Sequence, residues 1–116
     1  MALTNYIPVS NYRRAETVLN GRAERKLAHN TYLVDLREFD GCIGVKYHNT
    51  YIVKFYLDHA VLNTNGWDTY TTKERLNIFS PVWVYQKDWD WFVTDSQGND
   101  HEYCDGMKVS YAGEVL

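Results

Sequence analysis

The chain predicts an α+β fold: a twisted, mostly antiparallel sheet of five to seven strands with one or two short helices packed on it. Three observations point there. From position 31 onward, short runs of aromatic and β-branched residues alternate with turn residues, the pattern of strands joined by hairpins. Two stretches with helical apolar spacing and end signals, near the N-terminus and at 72–79, interrupt the strands. Aromatic residues make up 16% of the 116 positions, led by ten Tyr and four Trp, so that few residues are needed to fill a β-rich core.

The length fits a single domain over 1–116, divided into four stretches. Residues 1–27 hold an extended segment and the N-terminal helix. Pro8 keeps the first part extended, Ser10 is the expected cap of a helix over 11–20, and Asn20-Gly21 ends it. Ala15, Val18 and Leu19 form its apolar stripe, and 22–27 reads as a further helical turn. Residues 31–64 read as a β-meander: 31–37, a turn at 38–41, 42–49, 50–57 and 61–64. Within it Tyr51, Val53, Phe55 and Leu57 alternate onto one expected face. Residues 65–81 are a loop and helix, with Thr71 and Glu74 at capping-box spacing and Pro81 beyond the end. Residues 82–111 are β-hairpins: 82–88 and 91–95 joined at Asp88-Trp89-Asp90, then a turn at 96–100, 101–104 and 107–111.

The letters HNTY occur twice, at 29–32 and 48–51. Asn tolerates left-handed backbone angles and Thr starts a strand comfortably, so the repeat reads as one turn used twice. A spacing of nineteen residues suits two strands running the same way with one antiparallel strand between them.

Composition narrows the function classes. The net charge of −3, from 12 basic and 15 acidic side chains, disfavours nonspecific nucleic-acid binding, and the basic residues at 12–26 read as a solvated helix face. Cys42 and Cys104 form no zinc-ligand spacing, and the four His lack metal-binding intervals, so no metal and no cofactor is expected. No segment has the length of a signal or membrane helix, which predicts a cytosolic protein with reduced thiols. There is no GxSxG, GxGxxG or P-loop. With no constellation fit for catalysis, the chain reads as non-enzymatic.

Two sets of residues stand out. The stretch 62–77 offers Asn65, Trp67, Thr69, Thr71, Thr72, Lys73 and Arg75 around a helix start. It is a candidate ligand site, with Trp67 to stack on a base and Lys73 or Arg75 to counter phosphate. Trp89 and Trp91, which strand spacing places on one face, form with Tyr85 a candidate protein interface.

The stretches "RKLAHNTYL", "VKYHNTYIVKF", "VLNTNGWDTYTTKERLNIFSP", "VWVYQKDWDWFV" and "YCDGMKV" resemble a family of small bacteriophage-encoded proteins. The similarity runs from about residue 25 to 109, and its most specific piece is "LNTNGWDTYTTKERLN". The family's expected pattern has glycine where Asn65 stands and a basic residue where Asp68 stands, so this chain departs from it at both. The resemblance implies a phage origin and action in the host cytoplasm. It implies no particular activity; the absence of a catalytic constellation together with aromatic hairpins on a small acidic domain instead reads as an accessory protein that binds and inhibits a host protein, such as an antiviral defence component. The alternative is a sponge that sequesters a nucleotide-like small molecule. Sheet edges and aromatic faces also suit a homo-oligomer.

Overall fold

A computed structural model describes residues 3–116; the expected domain's first two positions lie outside them. Among the described residues the elements run α1 (Tyr12–Leu19), β1 (Glu24–Ala28), β2 (Thr31–Leu36), α2 (Arg37–Asp40), β3 (Cys42–Tyr47), β4 (Thr50–Phe55), β5 (Ala60–Leu62), α3 (Tyr70–Ile78), β6 (Trp83–Lys87), β7 (Asp90–Thr94), β8 (Asp100–Glu102) and β9 (Lys108–Val109). This is the expected α+β class.

The strands divide into two antiparallel sheets, one of six in the order β1-β2-β3-β4-β5-β9 and one of three, β6-β7-β8. The C-terminal hairpins therefore form their own small sheet, and only β9 returns to pair with β5. The inner face of the large sheet carries Leu33, Val45, Val53, Phe55 and Leu62, all completely buried. Ala15, Val18 and Leu19 of α1, Leu76 of α3, and Val84 and Val93 of the small sheet join the same core cluster. Alternation along each strand leaves the other face of the large sheet to polar and aromatic side chains.

Several local expectations are corrected. Residues 22–27 are not helical. Glu24–Ala28 is the edge strand β1, because Leu27 and Ala28 reach the core only when this segment pairs with β2. Asn11 rather than Ser10 caps α1, its Oδ1 accepting from the Arg14 N–H at 2.8 Å. The 38–41 turn is tightened into the one-turn helix α2, closed by Gly41 at φ 71°. Helix α3 starts two residues early, with Thr69 as its cap accepting from the Thr72 N–H. The carboxylate of Glu74 instead accepts the Leu3 N–H at 2.8 Å. Finally, an irregularity in the β3–β4 pairing sets Val53 opposite Val45 but Tyr51 opposite Lys46. Ile52 is the extra residue, so Tyr51 turns to the outer face, away from Val53 and Phe55.

Both HNTY copies are hairpin turns, and β2 and β4, which begin at their Thr residues, run parallel to each other on either side of β3. Asn30 takes φ 52° in the first turn and His48 φ 53° in the second. The two turns lie side by side, the His48 N–H donating to the Asn30 carbonyl at 3.0 Å.

Candidate functional site

The second HNTY turn and the start of α3 enclose a cleft of about 420 Å³. One wall comes from the sheet: Tyr47, His48, Asn49 and Thr50. The other comes from the loop and helix start: Thr64, Trp67, Thr69, Thr71 and Thr72, with Ile52 between the walls. The volume falls in the range of small-molecule sites. Trp67 stands 64% exposed at the rim.

The hydroxyls are held in place by one another. The Thr69 Oγ1 lies 3.0 Å from Thr72 Oγ1 and 3.3 Å from Thr71 Oγ1. The Tyr47 hydroxyl donates to Thr71 Oγ1 at 2.9 Å, tying the sheet wall to the helix wall. Beneath them Arg75 is only 3% exposed. Its Nε donates to Thr31 Oγ1 at 2.8 Å, Nη2 to the His29 carbonyl at 2.9 Å and Nη1 to the Thr71 carbonyl at 3.2 Å. The guanidinium also lies 4.1 Å from the centre of the Tyr47 ring, a cation–π arrangement. One arginine thus joins the first HNTY turn, the second β-hairpin and α3.

Thr64 marks the acidic end of the cleft. Its backbone N–H donates to Asp105 Oδ1 at 2.8 Å, and its hydroxyl shares one proton between the carboxylates of Asp105 and Asp68, each 3.0 Å away. Burial pushes the Asp105 carboxyl up, but donation from the Thr64 backbone, the Tyr103 hydroxyl, the Thr64 hydroxyl and the Gly66 backbone outweighs it and holds the group below the usual carboxylate range. Burial, then the hydrogen bond to Asp105 and after it the Asp105 charge, raises the Tyr103 hydroxyl far above a free tyrosine.

The candidate ligand residues are distributed as follows. Trp67, Thr69, Thr71 and Thr72 converge on the cleft. Asn65, at φ 52°, lines a second, shallower depression of about 310 Å³ on the outer side of the sheet. Lys73 lies over the Tyr70 ring at 5.8 Å and is not part of the lining. Arg75 is a structural clamp whose N–H groups are taken up by Thr31, Thr71 and His29, and it is not part of the lining. Sequence reasoning missed Tyr47, His48, Asn49 and Thr50, although the HNTY repeat was their signal.

The candidate interface residues separate. Trp89 is not a strand residue: with Asp88 it forms the β6–β7 turn, at φ 73° and 52°, and is 91% exposed. Trp91 faces inward and packs on Tyr103, their rings 5.6 Å apart. Tyr85 points the other way and stacks on Phe92 at 5.6 Å. Trp83, which is 58% exposed, shares its parity. The outward aromatic face is therefore Trp83, Tyr85 and Phe92, with Trp89 at its tip.

These features define a small α+β domain with a hydroxyl-rich cleft at one end of its large sheet. Among the described residues, no helix is long and apolar enough to cross a membrane, and no three His, Cys, Asp or Glu side chains gather as metal ligands. The family model for the Kyanoviridae Gp96 protein matches residues 11–110. The chain belongs to this family of cyanophage proteins, as the resemblance to small phage proteins implies. No curated protein and no solved structure matches it.

Proposed function

We propose that this phage protein is a non-enzymatic sponge that retains a nucleotide-like small molecule in the cleft between the second HNTY turn and α3. The observation that supports this most is convergence. Trp67, Thr69, Thr71 and Thr72, singled out as a binding loop, share one cavity with His48, Asn49 and Thr50. A flat aromatic rim with a ring of hydroxyl, amide and imidazole groups suits a planar heterocycle that must be stacked and hydrogen-bonded. Among the described lining residues none is Lys or Arg, and two carboxylates flank Thr64, so the base or nucleoside enters and any phosphate points to solvent. The test is a melting-temperature screen over nucleobases, nucleosides and nucleotides, with Trp67→Ala alongside. A ligand retained by the parent protein should raise its melting temperature and lose that effect in the variant. No shift across the screen would count against the sponge.

A second reading, binding and inhibition of a host protein such as a defence component, is favoured by the outward face of Trp83, Tyr85, Phe92 and Trp89. Exposed aromatics of this kind anchor interfaces. Pull-down from host lysate with Trp83→Ala and Trp89→Ala separates the two readings, since these side chains lie outside the cleft.

A further inference from the structure

The outer face of the six-stranded sheet carries a row that neither reading uses. Register sets Lys26 opposite Tyr32, Tyr32 opposite Lys46, and Lys46 opposite Tyr51. Cation and ring alternate across four neighbouring strands. Lys26 and Tyr32 are exposed and Lys46 and Tyr51 half-buried. The Tyr51 ring is laid down on the sheet because Gly44 leaves room: a Cβ there would stand 2.7 Å from Tyr51 Cδ1. Beyond Tyr51 the row runs into the 310 Å³ depression, where Lys54, Tyr56, Asn63 and Asn65 stand.

We propose that this face binds single-stranded nucleic acid, with Tyr32 and Tyr51 stacking bases and Lys26 and Lys46 meeting phosphates. Aromatic platforms alternating with cations are what a strand with free bases requires. The two tyrosines sit two strands apart, roughly 10 Å by the usual interstrand spacing. That is far beyond the about 3.4 Å step of a duplex, so bases stacked on them are splayed and a paired helix does not fit. The amides of Asn63 and Asn65 supply donors and acceptors for a base edge.

The overall charge of −3 does not argue against this, because the charge is segregated. Residues 83–116 carry seven of the 15 acidic side chains and two of the 12 basic ones. On the face itself Asp40 pairs with Lys54 at 2.9 Å, and Glu24 stands at the end of β1. Among the described residues Lys26 and Lys46 form no ion pair. The inference goes beyond the cleft reading and stands without it, although Asn49 and Thr50 border both sites.

The test is fluorescence anisotropy with a labelled oligothymidylate of about twelve nucleotides, within the usual site size, against the same sequence annealed to its complement. The single strand should bind and the duplex bind more weakly. With two to three phosphates neutralised, affinity should fall about tenfold between about 50 and about 200 mM salt. Lys26→Glu with Lys46→Glu should remove most of the salt dependence. Tyr32→Ala should weaken binding roughly five- to a hundredfold. Tyr51→Leu, which keeps Gly44 covered, controls for folding and should also weaken binding. Trp67→Ala should leave it unchanged. No binding at the lower salt, equal binding of duplex, or loss in Trp67→Ala without loss in the lysine variant would each overturn the proposal.

Discussion

The two HNTY turns begin with the same four residues and end in different environments. In the first, Thr31 is completely buried, and the His29 carbonyl accepts from both Thr31 Oγ1 and Arg75. In the second, His48 and Thr50 face the cleft. Locally both make a tight hairpin with one residue in the left-handed region, Asn30 in one and His48 in the other. What separates them is α3, which lays Arg75 over the first turn and leaves the second open. The repeated motif therefore gives a tight hairpin twice, with the left-handed residue at its Asn in one copy and at its His in the other, while burial and function depend on what packs against each copy.

The largest break in that comparison comes from Arg75→Met, which removes the donors to the Thr31 hydroxyl and to the His29 and Thr71 carbonyls in a dry site and takes the cation away from the nearly buried Glu74 carboxylate. The expected loss is about 3–5 kcal/mol of unfolding free energy, read from urea denaturation. A loss no larger than a surface substitution would mean that α3 is not what seals the first turn. Next, Thr31→Val and Thr50→Val compare the two copies directly. The first should cost about 1–3 kcal/mol, because the Arg75 Nε loses its acceptor. The second should stay within about 0.5 kcal/mol and act instead on ligand retention. Equal stability losses would erase the distinction.

Acid probes the open side more gently. Asp105 has a folded pKa below its unfolded value, so its contribution is complete above about pH 4, the unfolded carboxylate value. It is lost as pH falls from there through the depressed folded value. Asp105→Asn should lower stability at neutral pH and flatten the acid limb of the stability profile, without disturbing Arg75 and the first turn. The smallest effect belongs to the left-handed residues. His48→Gly should gain up to about 1 kcal/mol by relieving backbone strain, whereas Asn30→Gly should be neutral within a few tenths, because Asn tolerates that conformation. Paired thermal melts decide between them.

Much of this was legible because it is local. Positive φ at Asn20, Gly21 and Gly41 follows from turn and cap chemistry, as does the apolar stripe Ala15, Val18 and Leu19, and the hairpin at Asp88-Trp89. The misreadings each have a tertiary cause. Thr71 was a reasonable cap by spacing, but Glu74 is drawn to Leu3, 71 positions away, and Thr69 caps in its place. Tyr51 belonged with Val53 by strict alternation until the bulge at Ile52 reversed it. Arg75 was an obvious phosphate partner by charge. Its burial against Thr31 and His29 depends on residues more than forty positions distant, which no local pattern reports.

By itself the amino-acid sequence determined the α+β class, the helices α1 and α3 and nearly all the hairpins. These depend on periodicity and turn chemistry that act over a few residues. The tertiary structure alone decided that the last hairpins form a separate sheet, that one HNTY copy closes while the other opens onto a cleft, and that lysine and tyrosine alternate across the outer face. Those outcomes depend on which distant segments pack together, and a core is filled by volume and shape, for which many sequence orders serve equally well.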